Sequence, residues 1–163
     1  MSKERLRFLF TYHNGNLLWR NPTSNRVKAG DIAGCLTTNN YFLVSYDNNK
    51  RMLHRVIWDY FNECGCEGFL VDHIDGNSMN NRIENLRLAN YSQNAGNSVA
   101  HEDNQTGYKN IEPYKNGRFR VRLSCRGQRY DLGIFNDISE AIQARNQKSK
   151  DLYGSFHKEV CHK

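Results

Sequence analysis

The stretch from Gly68 to Asn97 constrains this chain more than any other feature. It is crowded with asparagine, at Asn77, Asn80, Asn81, Asn85, Asn90, Asn94 and Asn97. Each buried amide needs partners for two N–H donors and an oxygen, so such a segment cannot fill a core. It suits a loop-rich site held by side-chain-to-backbone hydrogen bonds. The apolar side chains must therefore gather on either side of it. With 163 residues in all, the resulting modules are small, and each is marginal without a partner, a metal or the other module.

Before the asparagine-rich stretch, residues 6–63 read as strands followed by a helix. Asn16-Leu17-Leu18-Trp19 and Tyr41-Phe42-Leu43-Val44-Ser45-Tyr46 are short apolar and aromatic runs. Asp47-Asn48-Asn49-Lys50 is a turn signal after the second run. From Leu53 the spacing becomes helical, with Leu53, Val56, Ile57, Tyr60 and Phe61 on one face. After the stretch, residues 98–107 form a polar connector. Residues 108–158 read as three strands and a helix. Asn116-Gly117 and Arg126-Gly127 are the turns. Asp137 with Glu140 three residues on makes a capping-box-like start. Ile138, Ala141, Ile142, Leu152 and Tyr153 are the helix's apolar stripe, and Gly154 is its stop. The fold class is α+β, with modules at 1–97 and 108–158.

The net charge is +6. All of that surplus lies in residues 108–158, which carry eleven Lys and Arg against five Asp and Glu. A basic module of this kind points to a polyanionic partner. The five cysteines, Cys35, Cys64, Cys66, Cys125 and Cys161, follow no disulfide framework and include no second pair to match Cys64 and Cys66. Reduced thiols are expected, and a structural zinc site is not. No run has the length of a signal peptide or a membrane span. A cytoplasmic protein without a membrane partner is expected.

The chemistry concentrates in Val71 to Asn94. Leu70-Val71 is a strand end that delivers Asp72 and His73, and Leu86-Arg87-Leu88-Ala89 is a second strand. Asn90 is a good N-cap for a helix carrying Asn94 one turn in. Phosphodiester hydrolysis needs a base to activate water and a cation to neutralise charge on the phosphate and leaving oxygen. An imidazole such as His73 has an ordinary pKa near ~6.5, suited to a base at neutral pH. Asp72 and Asn94 offer hard oxygens, which suit Mg²⁺ or Mn²⁺.

The same residues carry a family resemblance. Asp72-His73, Asp75-Gly76-Asn77, Asn80-Asn81, Asn85-Leu86-Arg87 and Asn94 resemble the HNH nuclease motif of phage and intron-encoded homing endonucleases. His54-Arg55-Val56-Ile57-Trp58 looks like the helix that precedes that motif. The resemblance spans roughly residues 15–97. It implies a ββα-metal core at about 68–97, with His73 as general base and Asp72 plus Asn94 as metal ligands. It also implies that Asn85 braces the loop and orients His73. Asn97, one turn beyond Asn94, is the competing ligand. Asp75 is expected to tie up loop amides, and His54 to be a packing residue. His13, His101, His157 and His162 have no motif around them.

In the basic module, Arg118-Phe119-Arg120-Val121-Arg122-Leu123 alternates without a break. Successive strand side chains point to opposite faces. Phe119, Val121 and Leu123 therefore face the helix, and Arg118, Arg120 and Arg122 form a basic row. That row is expected to be too repulsive to stand without a polyanion. Arg129 continues it on the next strand, where Tyr130 and Leu132 are expected to be buried. Lys115, Arg126 and, from the first module, Arg87 complete the cations assigned to DNA. Gly107-Tyr108-Lys109-Asn110-Ile111, Asn116-Gly117-Arg118-Phe119, Tyr130-Asp131-Leu132-Gly133-Ile134-Phe135, Glu140-Ala141 and Leu152-Tyr153-Gly154 resemble an apetala-type (ethylene-response-factor) DNA-binding domain over about residues 106–156. That resemblance implies a three-stranded antiparallel sheet packed on one helix, reading DNA with the sheet's outer face. Asp131 departs from it, because the plant domains often place an aromatic residue there.

Together these features predict a metal-dependent endonuclease acting on duplex DNA, phage-encoded and monomeric. The alternatives are a DNA-binding regulator with a vestigial nuclease centre and an RNA-binding protein. The intact Asp72, His73, Asn85 and Asn94 set opposes the first. The absence of RNP aromatics and of a KH loop opposes the second.

Overall fold

The computed structural model describes residues 2–63, 65–98, 100 and 103–161. Cys64, His101 and His162 lie outside the described residues, so the readings made of them stay with the sequence. The architecture mixes helices with small antiparallel sheets, as the α+β class requires. The chain divides into two compact units, Met1–Ala89 and Asn90–Lys163.

The first unit opens with a helix that the strand-like reading of this region did not foresee. α1, Lys3–Leu9, is started by the Ser2 hydroxyl, which accepts from the Arg5 N–H at 3.3 Å. Glu4 in its first turn and Arg7 in its last suit the helix dipole. Leu6 and Leu9, three apart, are fully buried. β1 (Phe10–His13) and β2 (Asn16–Trp19) form a hairpin through Asn14-Gly15, both at positive φ. Space forces glycine at the second position, because a Cβ on Gly15 would lie 2.9 Å from the Arg82 nitrogen.

β3 (Cys35–Leu36), β4 (Phe42–Tyr46) and β5 (Asn49–Met52) make a three-stranded sheet. Asp47 and Asn48, both at positive φ, turn β4 into β5. Chain direction then changes at once into α2, Leu53–Phe61, which buries Leu53, Val56 and Ile57 as its spacing predicted. His54 and Asp59 are buried on the same helix. Phe10, Leu17, Trp19, Val44 and Tyr46 share one core with these side chains. Val71 of β6 (Leu70–His73) and Leu86 of β7 (Leu86–Ala89) belong to the same core. That packing fixes the β6–β7 hairpin against α2.

In the second unit, β8 (Ile111–Tyr114), β9 (Arg118–Cys125) and β10 (Gln128–Phe135) form an antiparallel sheet in the order β10-β9-β8. Both predicted turns are present, with Asn116-Gly117 and Arg126-Gly127 at positive φ. A bulge at Leu132 shifts the β9–β10 register between Asp131 and Gly133. Tyr130 and Leu132, expected to be buried, are half-buried. α4, Ile138–Tyr153, starts at Asp137, whose carboxylate accepts from the Ser139 and Glu140 N–H groups, and stops at Gly154. Ile111, Val121, Leu123, Ala141 and Ile142 form its core with the sheet. Arg145 is also fully buried, and its guanidinium donates to the Asn146 amide oxygen and the Lys158 carbonyl.

α3, Tyr91–Asn97, belongs to this second unit. Its Ser92 hydroxyl accepts from the Arg126 N–H at 3.3 Å. Lys109 donates to the Ala95 and Ser98 carbonyls at its C-terminal end. Gly96 lies so close to the Tyr153 ring that a Cβ would sit 2.6 Å from it. These contacts explain why the helix groups with the sheet that follows it.

Candidate functional site

The β6–β7 hairpin fixes the position of both residues that the motif singles out. β6 pairs antiparallel with β7, with Asp72 opposite Arg87 and His73 opposite Leu86. The Arg87 Nε donates to the Asp72 carboxylate at 2.9 Å. Asp72 is only 6% exposed, so the guanidinium orients a nearly enclosed carboxylate. Arg87, expected on DNA, thus makes its close ion pair inside the hairpin.

His73 is equally enclosed, at 6% exposure. Its Nε2 lies 3.0 Å from the Asn81 amide oxygen. The Asn81 Nδ2 donates to the Met79 carbonyl, which sets the amide's orientation. An amide oxygen only accepts, so in this contact the His73 ring donates from Nε2. Asn81 is itself buried, at 3%. The residue that orients His73 is therefore Asn81, where the sequence resemblance had implied Asn85. The motif contains Asn80-Asn81 as a pair, but nothing in the sequence distinguishes the inward-facing member.

Asn85 braces the loop by other contacts. Its amide oxygen accepts from the Asp75 N–H at 3.1 Å, and its Nδ2 donates to Asp75 Oδ1 and to the Asn80 carbonyl at 2.9 and 2.8 Å. Asp75 also accepts from the Asn77 N–H and the Asn80 amide. Burial pushes the Asp75 carboxyl up, but these donors outweigh it and hold its pKa below the usual value. Asp75 ties the loop's amides together, as expected. This network ties the Asn-rich loop together by side-chain hydrogen bonds.

His54, expected as a packing residue, is buried against the site itself. Its ring centroid lies 5.0 Å from that of His73, at 66°. Tyr41 completes an aromatic wall, 5.7 Å from His54 and 6.3 Å from His73. Burial, then the neighbouring His73 and Arg55 charges, push the His54 pKa down to about 3. His54 is thus a neutral imidazole at physiological pH. Its place on the buried face of α2 was legible, but its proximity to His73 was not.

Asn94 and its competitor Asn97 both lie on α3 in the second unit. Asn90 caps that helix in a reciprocal capping box with Gln93. Asn94 is half-buried and Asn97 is buried. Among the described residues, no three His, Cys, Asp or Glu side chains cluster as a metal cage. The Asp72 carboxylate is a hard oxygen donor of the kind that suits a hard cation keeping several of its waters.

The sheet of the second unit presents the predicted arginine row. Opposite its buried Val121 and Leu123, β9 turns Arg118, Arg120 and Arg122 to the other face. The row is not bare, which corrects the expectation of unrelieved repulsion. Arg120 pairs with Asp131 of β10, and Arg122 with Glu112 of β8. Arg118 lies over the Tyr114 ring, 5.7 Å from its centroid. Lys115, Arg126 and Arg129 are exposed at the strand ends.

Comparison with known proteins places this geometry. The family model described as HNH endonuclease matches residues 51–95. That span covers α2, the β6–β7 hairpin and the start of α3. An uncharacterised HNH endonuclease, L560, of Acanthamoeba polyphaga mimivirus is 30% identical over 69% of this chain and 59% of its own length. Protein 3.8 of Escherichia phage T7 is 28% identical over 63% of this chain and 85% of its own. A putative HNH homing endonuclease, YosQ, of a Bacillus subtilis prophage is 31% identical over 36% of this chain and 37% of its own. The chain thus spans less than two thirds of the length of the mimivirus and prophage relatives. No solved structure matches it. Residues 51–95 of this chain are thus similar to HNH endonuclease domains.

Proposed function

We propose that this chain is a metal-dependent DNA endonuclease of the homing type, hydrolysing phosphodiester bonds in duplex DNA at a recognised site. The observation that carries the reading is the Asp72-His73 pair at a strand end, with His73 held by Asn81, inside the span that matches the HNH family. His73 is the general base that activates the attacking water. The sequence resemblance adds Asn94 to Asp72 as ligands of Mg²⁺ or Mn²⁺. When bound, that cation supplies charge neutralisation at the scissile phosphate and the leaving oxygen.

His73 takes a proton from the attacking water, the water oxygen bonds to phosphorus, and the P–O bond to the leaving oxygen breaks, that oxygen taking a proton from solvent. Asn81 holds the imidazole in position. Arg87 holds the Asp72 carboxylate in place. Duplex DNA is gripped by the three-stranded sheet of the second unit through Arg118, Arg120, Arg122, Lys115, Arg126 and Arg129, in the manner that its likeness to apetala-type domains implies. The viral and prophage relatives fit a phage-encoded enzyme. Among the described residues, no helix is long and apolar enough to cross a membrane.

The test is cleavage of supercoiled plasmid with Mg²⁺, with EDTA, and with His73→Ala. Cutting is expected only with metal, and the variant should lose about 10²–10⁴-fold in rate while binding DNA as before. A folded His73→Ala protein that cuts at the parental rate would exclude His73 as the base.

A further inference from the structure

The outer face of the second unit's sheet carries more than a basic row. Register places Glu112 opposite Arg120 and Asp131 opposite Arg122. The ion pairs nevertheless run diagonally, Arg120 to Asp131 and Arg122 to Glu112. The Arg120 Nε also donates to the same Asp131 oxygen at 3.1 Å. The Asp131 carboxylate is held further by the Gly133 N–H at the bulge. The Arg120 guanidinium, then that N–H, keep the Asp131 carboxyl below its usual pKa. Two carboxylates thus sit among the arginines on the face proposed to meet DNA, and each is committed to one of them. All four side chains remain about a third or more exposed. Such pairs contribute little to folding, so stability does not explain them.

We propose that Glu112 and Asp131 are selectivity-determining residues of the DNA-binding face: by occupying Arg122 and Arg120, they suppress indiscriminate phosphate binding and leave those guanidiniums to be recruited by base edges. The inference rests on the reading of this sheet as the DNA anchor. A phosphate approaching Arg120 or Arg122 must displace a carboxylate and then remain beside that negative charge. A base edge with a pair of acceptors meets the same guanidinium without bringing a full charge to the carboxylate. Arg118, Arg126 and Arg129, which have no such partner among the described residues, supply the salt-sensitive phosphate contacts.

The experiment uses the full chain, Glu112→Gln, Asp131→Asn and the double variant. Binding to random-sequence duplex oligonucleotides is measured across salt concentrations, and base preference is read by selection from a randomised duplex library. Freed arginines should tighten random-duplex binding, steepen the slope of log K against log salt by about 0.9 for each new phosphate contact, and flatten the selected base preferences. Unchanged slope and preferences in the double variant would overturn the proposal, as would tighter binding with base preferences intact. Arg118→Gln/Arg120→Gln/Arg122→Gln is run beside it. If that triple variant loses affinity while the acidic variants change nothing, the sheet binds DNA but the carboxylates do not select. If the triple variant also binds as the parent does, the sheet is not the anchor and both readings fall.

Discussion

Replacing His54 by Gln should remove the acid sensitivity that this buried imidazole gives the first unit between pH 7 and 5. His54 is 8% exposed, and its pKa is pushed down to about 3 from an ordinary 6.5. In the unfolded chain the imidazole takes up a proton as pH falls through about 6.5, whereas in the folded chain it does so only near 3. The unfolded state therefore binds more protons across that window. Stability rises with pH there, and it is lost as pH falls. Each pH unit inside the window is worth at most about 1.4 kcal/mol. Between pH 7 and pH 5 the parent should lose about 2 kcal/mol through this one group. A glutamine amide does not titrate, so the variant should lack that loss whatever its absolute stability. Both tryptophans, Trp19 and Trp58, lie in the first unit, so urea unfolding followed by their fluorescence reports on the relevant module. EDTA in every sample keeps metal binding out of the comparison. If the parent and His54→Gln curves of unfolding free energy against pH run parallel between 5 and 7, His54 is not a buried neutral imidazole, and its packing against His73 is wrong.

Asn81→Ala should lower kcat about tenfold or more, since one buried hydrogen bond to the base is worth about 1–2 kcal/mol. DNA affinity should hold, and Asn81→Asp, which keeps the acceptor oxygen, should retain more activity; equal kcat and pH profile in parent and Asn81→Ala would remove Asn81 from a positioning role. Arg87→Leu leaves Asp72 buried without its guanidinium and should destabilise the first unit by on the order of 3 kcal/mol, read as a lower urea midpoint by tryptophan fluorescence; an unchanged midpoint would mean that the pair does not hold the hairpin. Gly96→Ala drives a methyl into the Tyr153 ring and should cost the second unit about 1–3 kcal/mol. Hydrogen exchange of the β9 amides checks this, and undiminished protection would show that α3 does not pack there.

Local rules account for what the sequence made legible. Turn chemistry needs only neighbouring residues, so Asn116-Gly117, Arg126-Gly127 and the Asp137 cap could be read directly. Periodicity gave α2 and the two faces of β9 for the same reason. The missed α1 has its explanation in the same terms: its Ser2 cap and its Leu6/Leu9 pair span too few residues to show a period. Within the site, the Asp72-His73 pair and the bracing role of Asn85 followed from an ordered motif.

The sequence by itself determined which residues are candidates for the chemistry, because strand alternation, caps and motif spacing are properties of adjacent positions. Tertiary structure alone decided what those residues touch. Asn81 rather than Asn85 reaches His73, because the loop tied down by Asp75 turns Asn81 inward. His54 meets His73 only because α2 and the β6–β7 hairpin share a core. Glu112 and Asp131 temper the arginine row only because strand register and the Leu132 bulge bring them diagonally across to Arg122 and Arg120. Each of these contacts joins positions held together by packing and register, and neither is encoded in the spacing of nearby residues.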